Sequence, residues 1–335
     1  MSGFAEMMSK REREFFSPFA FLTENTKGRE QPCAPSAVRT EFQRDRDRIV
    51  HSQSFRRLMY KSQVFLAPAG DHYRTRLTHT VEVMQIARTM ARALRLNEDL
   101  AEAIAFGHDL GHTPFGHAGE SVMQQMYSAD FTHNAQGVRV VEKLENDGRG
   151  LNLTYEVKDG IAHHSGEKMP CTLEGELIRY ADRIAYINHD IDDALRAGIL
   201  KKEEIPAHLR EVLGETHSVR IDTMVESVLR ATEGKPHAEM EPEIWRATDE
   251  LRNFLFARVY RDSAAKAEEV KAKAMLAQLF EYFVKYPEKL PGIYGENLKN
   301  EPVPRCVCDY LSGMTDRYAI ELYRELFIPE VWRVK

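Results

Sequence analysis

Cysteine is scarce: 335 residues hold four, Cys33, Cys171, Cys306 and Cys308. They are too scattered for a zinc ribbon of paired CxxC motifs and read as reduced thiols rather than as a disulfide framework. Glycine (19) and proline (14) are sparse as well, which excludes collagen-like and low-complexity classes. No run of about 18 apolar residues occurs, and MSGFAEMMSKRERE at the start lacks the apolar stretch of a signal peptide. Neither a membrane span nor a secretory leader is expected, and the expected compartment is the cytoplasm. Positive charge is not in excess either: 46 Lys and Arg against 52 Asp and Glu leave −6. Bulk charge therefore does not suit the chain to coating nucleic acid, and an anionic partner must find a local basic site.

What is present is an ordinary globular composition, 43% hydrophobic and 29% charged. At about 100 to 200 residues per domain the length suits two domains or one large one. Leu77, Val81, Met84, Ala87, Ala91 and Leu94 recur at spacings of three and four, the period of an amphipathic helix. Asn97 caps the next helix, expected from Glu98 to about Leu110 with Gly111 as its terminator. Shorter helices are expected at about 116–128 and 133–146, and a long one carries Leu177, Ala181, Ile184, Ile191 and Leu195 before Gly198. The segments 219–232, 244–262, 265–285 and 308–327 keep the helical period, and alternating β patterns are nearly absent. The fold class is all-α. Residues 1–38 read as an arm with at most one short helix, ordered only by a neighbouring subunit, and a boundary between Gly198 and Pro206 divides 39–200 from 201–335.

The chemistry gathers in the front part. Residues 107–117 read GHDLGHTPFGH and hold His108, Asp109, His112 and His117, although 13 histidines in 335 residues predict fewer than one in such a window. Gly111 interrupts the spacing of His108 and His112, so a single HExxH-like helical face is not assumed. Adjacent His108 and Asp109 can nonetheless bind one metal at a helix end. His79 sits on the preceding amphipathic helix, where an unpartnered imidazole is expensive, and Asp182 lies between Ala181 and Ile184 on a helix expected to be buried. Two imidazoles and two carboxylates form an N/O site suited to Fe, Mn, Zn or Mg.

The order H, HD, D along successive helices resembles the HD-domain phosphohydrolases. The phrases FQRDRDRIVHSQSFRRL, GDHYRTRLTHTVEV, AEAIAFGHDLGHTPFGHAGE, THNAQGVRVVEKLE and ADRIAYINHDIDDALRAG resemble, more specifically, the deoxynucleoside triphosphate triphosphohydrolases in their bacterial dGTPase-like branch. DYLSGMTDRYAIELY near the C-terminus continues the likeness. The resemblance implies an HD phosphohydrolase core at 39–200 and a helical C-terminal region at 201–335 that completes the site and supplies oligomer contacts. It implies metal ligation by His79, His108, Asp109 and Asp182, with Mn, Mg, Fe, Zn or Ni as the divalent ion. His112, His117, His133 and Glu120 would face the triphosphate and the reaction centre, Glu120 standing where some members have Asp. Arg76 would grip phosphate, Gln63 would lie near the deoxyribose and base, and Arg183 would also bind substrate. Tyr186 and Asp190, at +4 and +8 from Asp182, would form a sugar stripe, Tyr186 under the ring and Asp190 on the 3′-OH, with Tyr318 either lining that pocket or packing in the core.

Such an enzyme hydrolyses a dNTP, dGTP or another, to deoxynucleoside and inorganic triphosphate, and controls the dNTP pool. The implied partners are the dNTP substrate, further copies of the chain in a tetramer or hexamer, and an allosteric dNTP; no membrane is implied, and nothing in the sequence supports single-stranded nucleic acid. An HD phosphohydrolase acting on monophosphates or cyclic nucleotides, and a nucleotide sensor or single-strand-binding module without turnover, are the competing readings. Between Arg39 and Lys61 stand 7 basic and 3 acidic residues, either a solvated helix face or an anion site near the active centre or a subunit interface. His163 and His164 are expected at the surface or a phosphate edge, and His51, His72 and His189 are given the same default.

Overall fold

A computed structural model of the chain describes residues 3–63, 73–260 and 265–329. The described residues form helices joined by turns and loops, with two isolated β-bridges, Arg29 to Thr154 and Ser62 to Thr75, and no strand. The all-α expectation holds. No described helix is long and apolar enough to cross a membrane.

At the centre lies the helix Glu98–Gly107, started by Asn97, whose side chain accepts the Leu100 N–H. Leu100, Ala101, Ala103, Ile104 and Ala105 are all fully buried, because the small residues let neighbours pack on every side: the helices Glu41–Val50, Arg76–Ala93, Tyr155–His163 and Leu173–Arg196. The helix stops at Gly107, earlier than the sequence period suggests, and residues 108–111 form a turn. The cause is a close approach at Gly111, where a Cβ would stand 2.1 Å from the Gly137 nitrogen and from the His133 carbonyl oxygen. Only glycine lets the turn bearing His108, Asp109 and His112 touch the helix His133–Arg139.

Arg76–Ala93 is opened by a capping box, Thr75 with Thr78, and buries His79, Val83, Ile86 and Met90 along one face. Leu173–Arg196 begins with Thr172 accepting the Gly175 N–H. Two of its buried carboxylates, near its start, act as anchors. Glu174 accepts the backbone N–H groups of Phe21 and Asn97, each at 2.9 Å, and Glu176 accepts that of Ala238 at 2.8 Å.

The N-terminal arm holds its one expected helix but is not left to a neighbouring subunit for order. It forms the helix Phe4–Phe15, and besides Glu174 it is tied down by Glu156, which takes the Thr26 hydroxyl and Lys27 N–H, and by Arg29 on Asp45. Side chains of this same chain order it, a long-range pairing that local composition does not reveal. The expected segment 308–327 is likewise two helices, Val303–Ser312 and Asp316–Phe327, because Thr315 caps a new start. The sequence reading gave no separate place to Tyr155–His163.

Two hydrophobic clusters result. One spans residues between Phe42 and Val259; the other joins Phe115, Ala118, Val122 and Met123 to Leu276, Leu279, Phe280, Val307 and Leu311 of the C-terminal helices. The second junction also contains a polar knot: fully buried Asp309 accepts from Gln136, Arg139 and Arg305. Removing one partner of a buried ion cluster strands the others. Asp309→Ala is therefore expected to destabilise the fold by about 3–5 kcal/mol, read as a lower urea midpoint; a midpoint equal to wild type would show that water replaces the carboxylate.

Candidate active site

The turn after Glu98–Gly107 delivers His108, Asp109 and His112, and the helices Arg76–Ala93, His117–Met126, His133–Arg139 and Leu173–Arg196 deliver His79, His117, Glu120, His133 and Asp182. His79, His108 and Asp182 bring one donor atom each within 4.8 Å of one another. His79 Nε2 lies 3.1 Å from Asp182 Oδ1. His108 Nδ1 donates to the Ala105 carbonyl at 2.6 Å, which fixes the tautomer and leaves Nε2 as a buried lone pair without a hydrogen-bond partner. A nitrogen so oriented, an imidazole and a carboxylate beside it, and a neighbouring Asp109 are a donor set that fits a divalent cation.

Asp109 stands between this group and a second one. Its Oδ1 is 3.0 Å from His112 Nε2 and 3.4 Å from His108 Nε2, while Oδ2 is 3.0 Å from Arg76 Nη1 and 3.9 Å from His79 Nε2. Burial opposes its charge, but His108, His112 and Arg76 outweigh burial and hold the carboxyl well below its usual range. Asp182 is likewise held down, the hydrogen bond and charge of His79 overcoming desolvation.

The second group is His112, Glu120 and His133, again with donor atoms within 4.8 Å. The rings of His112 and His133 stack at 4.0 Å and 14°. Glu120 accepts the His133 backbone N–H at 3.0 Å, faces His133 Nδ1 at 3.2 Å, and lies 3.6 Å from His117 Nδ1. Burial alone would raise Glu120, yet the nearby His117 imidazole and the His133 hydrogen bonds hold it far below the ordinary carboxylate range. His117 opens the helix His117–Met126 and its side chain is 81% exposed, free to meet a bound molecule.

His164 corrects the surface assignment. It is 3% exposed, its Nδ1 donates to the Ile161 carbonyl at 2.8 Å, and its Nε2 is 3.2 Å from His133 Nε2. Burial, with His108 and His133 nearby, pushes its pKa down to about 3, so the ring is neutral and its Nε2 accepts. Both nitrogens of His133 thus face acceptors. His189 is buried as well, paired with Glu82 at 2.9 Å. The periodicity that placed these helices says nothing about which of their polar residues are desolvated. His163 stays at the edge on Asp159, His51 is exposed, and His72 lies outside the described residues.

The remaining expected residues are spread more widely. Arg76 is buried and paired with Asp109, and its Nε is buried without a hydrogen-bond partner. The Gln63 backbone oxygen lies 3.6 Å from where a Gly116 Cβ would be, and its side-chain Oε1 is buried without a hydrogen-bond partner. Arg183 lies over the Trp245 ring at 4.4 Å and 3.5 Å from Asp249. Tyr186 is half-buried beside the Arg252 guanidinium, and burial pushes its hydroxyl up to about 12. Asp190 is buried with Asp193 near it, which raises its carboxyl well above the usual range and leaves Oδ1 without a hydrogen-bond partner. A neutral carboxyl there can donate as well as accept. Tyr318 directs its hydroxyl to that of Tyr310 at 3.1 Å. Of the arginine run, Arg44 and Arg48 line a surface cleft with Arg39, Asp47 and His51. Sequence reasoning missed Lys61, Arg252 and Asp316 and set His164 at the surface; Asp316 lies in the stretch DYLSGMTDRYAIELY, but nothing in its spacing marks it.

Comparison with known proteins agrees with this geometry. The HD domain model matches residues 76–187, the segment that carries both groups up to Tyr186, and a phosphohydrolase-associated domain matches 238–325. A phosphohydrolase from Bacteroides thetaiotaomicron shares the fold, with a TM-score of 0.52 at 16% identity over 83% of this chain and 68% of that one. The protein is an all-α HD-domain hydrolase. It is 54% identical to a "Deoxyguanosinetriphosphate triphosphohydrolase-like protein" of Caldanaerobacter subterraneus over 98% of this chain and 96% of that one, and 48% identical to one of Desulfatibacillum aliphaticivorans over 97% and 98%. The chain belongs to the deoxyguanosinetriphosphate triphosphohydrolase-like family.

Proposed function

We propose that the protein hydrolyses a deoxynucleoside triphosphate to deoxynucleoside and inorganic triphosphate, with His79, His108, Asp109 and Asp182 holding a divalent metal. The observation that carries this reading is Asp109 standing between the two groups, so that a cation-holding triad and a cluster of proton-bearing imidazoles share one carboxylate. Relatives whose names specify deoxyguanosine triphosphate support the substrate class. N and O donors suit Mn, Mg, Fe, Zn or Ni alike.

The reaction requires attack of water on the α-phosphorus and departure of the 5′-oxygen, a poor leaving group until protonated. A divalent ion in the site supplies Lewis acidity toward phosphate and water. His117 delivers the proton to the 5′-oxygen, and ionised Glu120 orients its ring. His133, with acceptors at both nitrogens, and Arg76 meet the charge that grows on the phosphoryl oxygens, while His112 is kept neutral by burial, Arg76 and His133 and donates its one N–H, at Nε2, to Asp109. Tyr186 and Asp190 hold the sugar, and Arg183, Gln63 and Tyr318 lie around the rest of the substrate. In the cell this activity would limit the dNTP pool in the cytoplasm, carried out by a homo-oligomer.

Product analysis tests the reading. In oxygen-18 water each dNTP is expected to give unlabelled nucleoside and tripolyphosphate labelled at one end. Pyrophosphate and dNMP as the main products would overturn it.

A further inference from the structure

Two buried charged residues have no part in the chemistry above. Lys61 is 3% exposed, and its Nζ donates to the backbone carbonyls of His112 and Ser312, the latter at 2.9 Å. Asp316 is 4% exposed; its Oδ1 accepts the Phe115 N–H at 2.9 Å and its Oδ2 accepts the Ser62 N–H at 2.9 Å and the Ser62 hydroxyl. Both therefore grip the loop that leads from His112 to His117, one at each end, and both reach it from elsewhere in the chain.

That loop needs holding. Phe115 and Gly116 are consecutive left-handed residues, at φ 61° and 54°, a conformation that a residue with a Cβ adopts only when its surroundings impose it. A Cβ on Gly116 would come 3.1 Å from Arg76 Nη2. The same loop sets how far His112, on the turn of Asp109, stands from His117 and Glu120, on the next helix. Stability alone does not account for Lys61. An ammonium bonded to carbonyls and set among Arg57 and Arg76 is costly to bury, and desolvation with those two charges brings its pKa down to about 7.

We propose that Lys61 and Asp316 are positioning residues, a buried clamp through which the C-terminal helices hold the loop Thr113–Gly116 and so fix the spacing of His112 from His117 and Glu120. The proposal gives the phosphohydrolase-associated region a task in turnover, since Ser312 and Asp316 both belong to it. It rests on the roles proposed for His112, His117 and Glu120.

Lys61→Met and Asp316→Asn in the full chain, singly and together, test it. Each single variant is expected to keep wild-type metal content, to keep KM within about threefold, and to lose kcat by about 10- to 100-fold, because an ångström of misplacement is enough. The double variant should lose little more than the worse single, since both act through one loop. Amides 113–117 should exchange faster with deuterium in all three. Asp316→Asn preserves size and carries the test alone if Lys61→Met does not fold. Folded variants with wild-type kcat, or losses that multiply in the double while loop exchange stays unchanged, would overturn the clamp. If the wild type releases tripolyphosphate from no dNTP, the proposed function fails by itself, and loop exchange still decides: faster exchange supports the clamp and unchanged exchange overturns it.

Discussion

Asp182→Asn is expected to lose bound metal and to lower turnover by roughly 10³-fold or more, as removal of a first ligand removes the Lewis acid. Asparagine preserves the shape of the side chain, so the contact with His79 at 3.1 Å survives as a hydrogen bond while the negative charge goes. Elemental analysis beside kcat on the same preparation checks it, and wild-type metal content in the variant would take Asp182 out of the ligand set. Asp109→Ala sharpens the comparison. Its carboxylate is shared among His112, Arg76 and the metal-side imidazoles. Loss of metal in that variant marks it as a ligand, whereas retained metal with lost turnover marks it as the organiser of the second group.

Glu120→Gln is expected to lower kcat by about 10²- to 10⁴-fold, the usual worth of a general acid and its orientation, while metal content stays at the wild-type level. The carboxylate holds two imidazoles at once, His117 at 3.6 Å and His133 at 3.2 Å. An amide can accept from one and must turn its NH₂ toward the other. Its neutral charge also ceases to favour protonated rings. Single-turnover rates, with metal content measured on the same preparation, provide the check. A rate within a few-fold of wild type would mean that the leaving oxygen obtains its proton from another group.

How much of this was legible can be traced residue by residue. The helix carrying His79 was readable because its apolar positions recur at three and four, and Thr75 and Asn97 sit where caps belong. The end of Glu98–Gly107 was misjudged by about one turn, since the event that ends it is contact between Gly111 and Gly137 across the fold. The H, HD, D order stood out because imidazoles and carboxylates on apolar faces are rare without a partner. His164 and His189 escaped for the opposite reason: each is next to polar residues in the chain and is buried only by helices remote in sequence.

Local chemistry thus determined the all-α class, most of the helices and the candidate metal ligands, because helix period, capping and residue type act over a few positions. Tertiary structure decided that Asp109 is shared between two groups, that His133 has acceptors at both nitrogens, and that the arm folds back on Glu174 and Glu156. It also decided that Lys61 and Asp316 meet the loop at His112 and Phe115, contacts spanning 51 and 201 residues. Desolvation and charge pairing are set by whatever packs alongside, and for these residues that is chain far away in sequence.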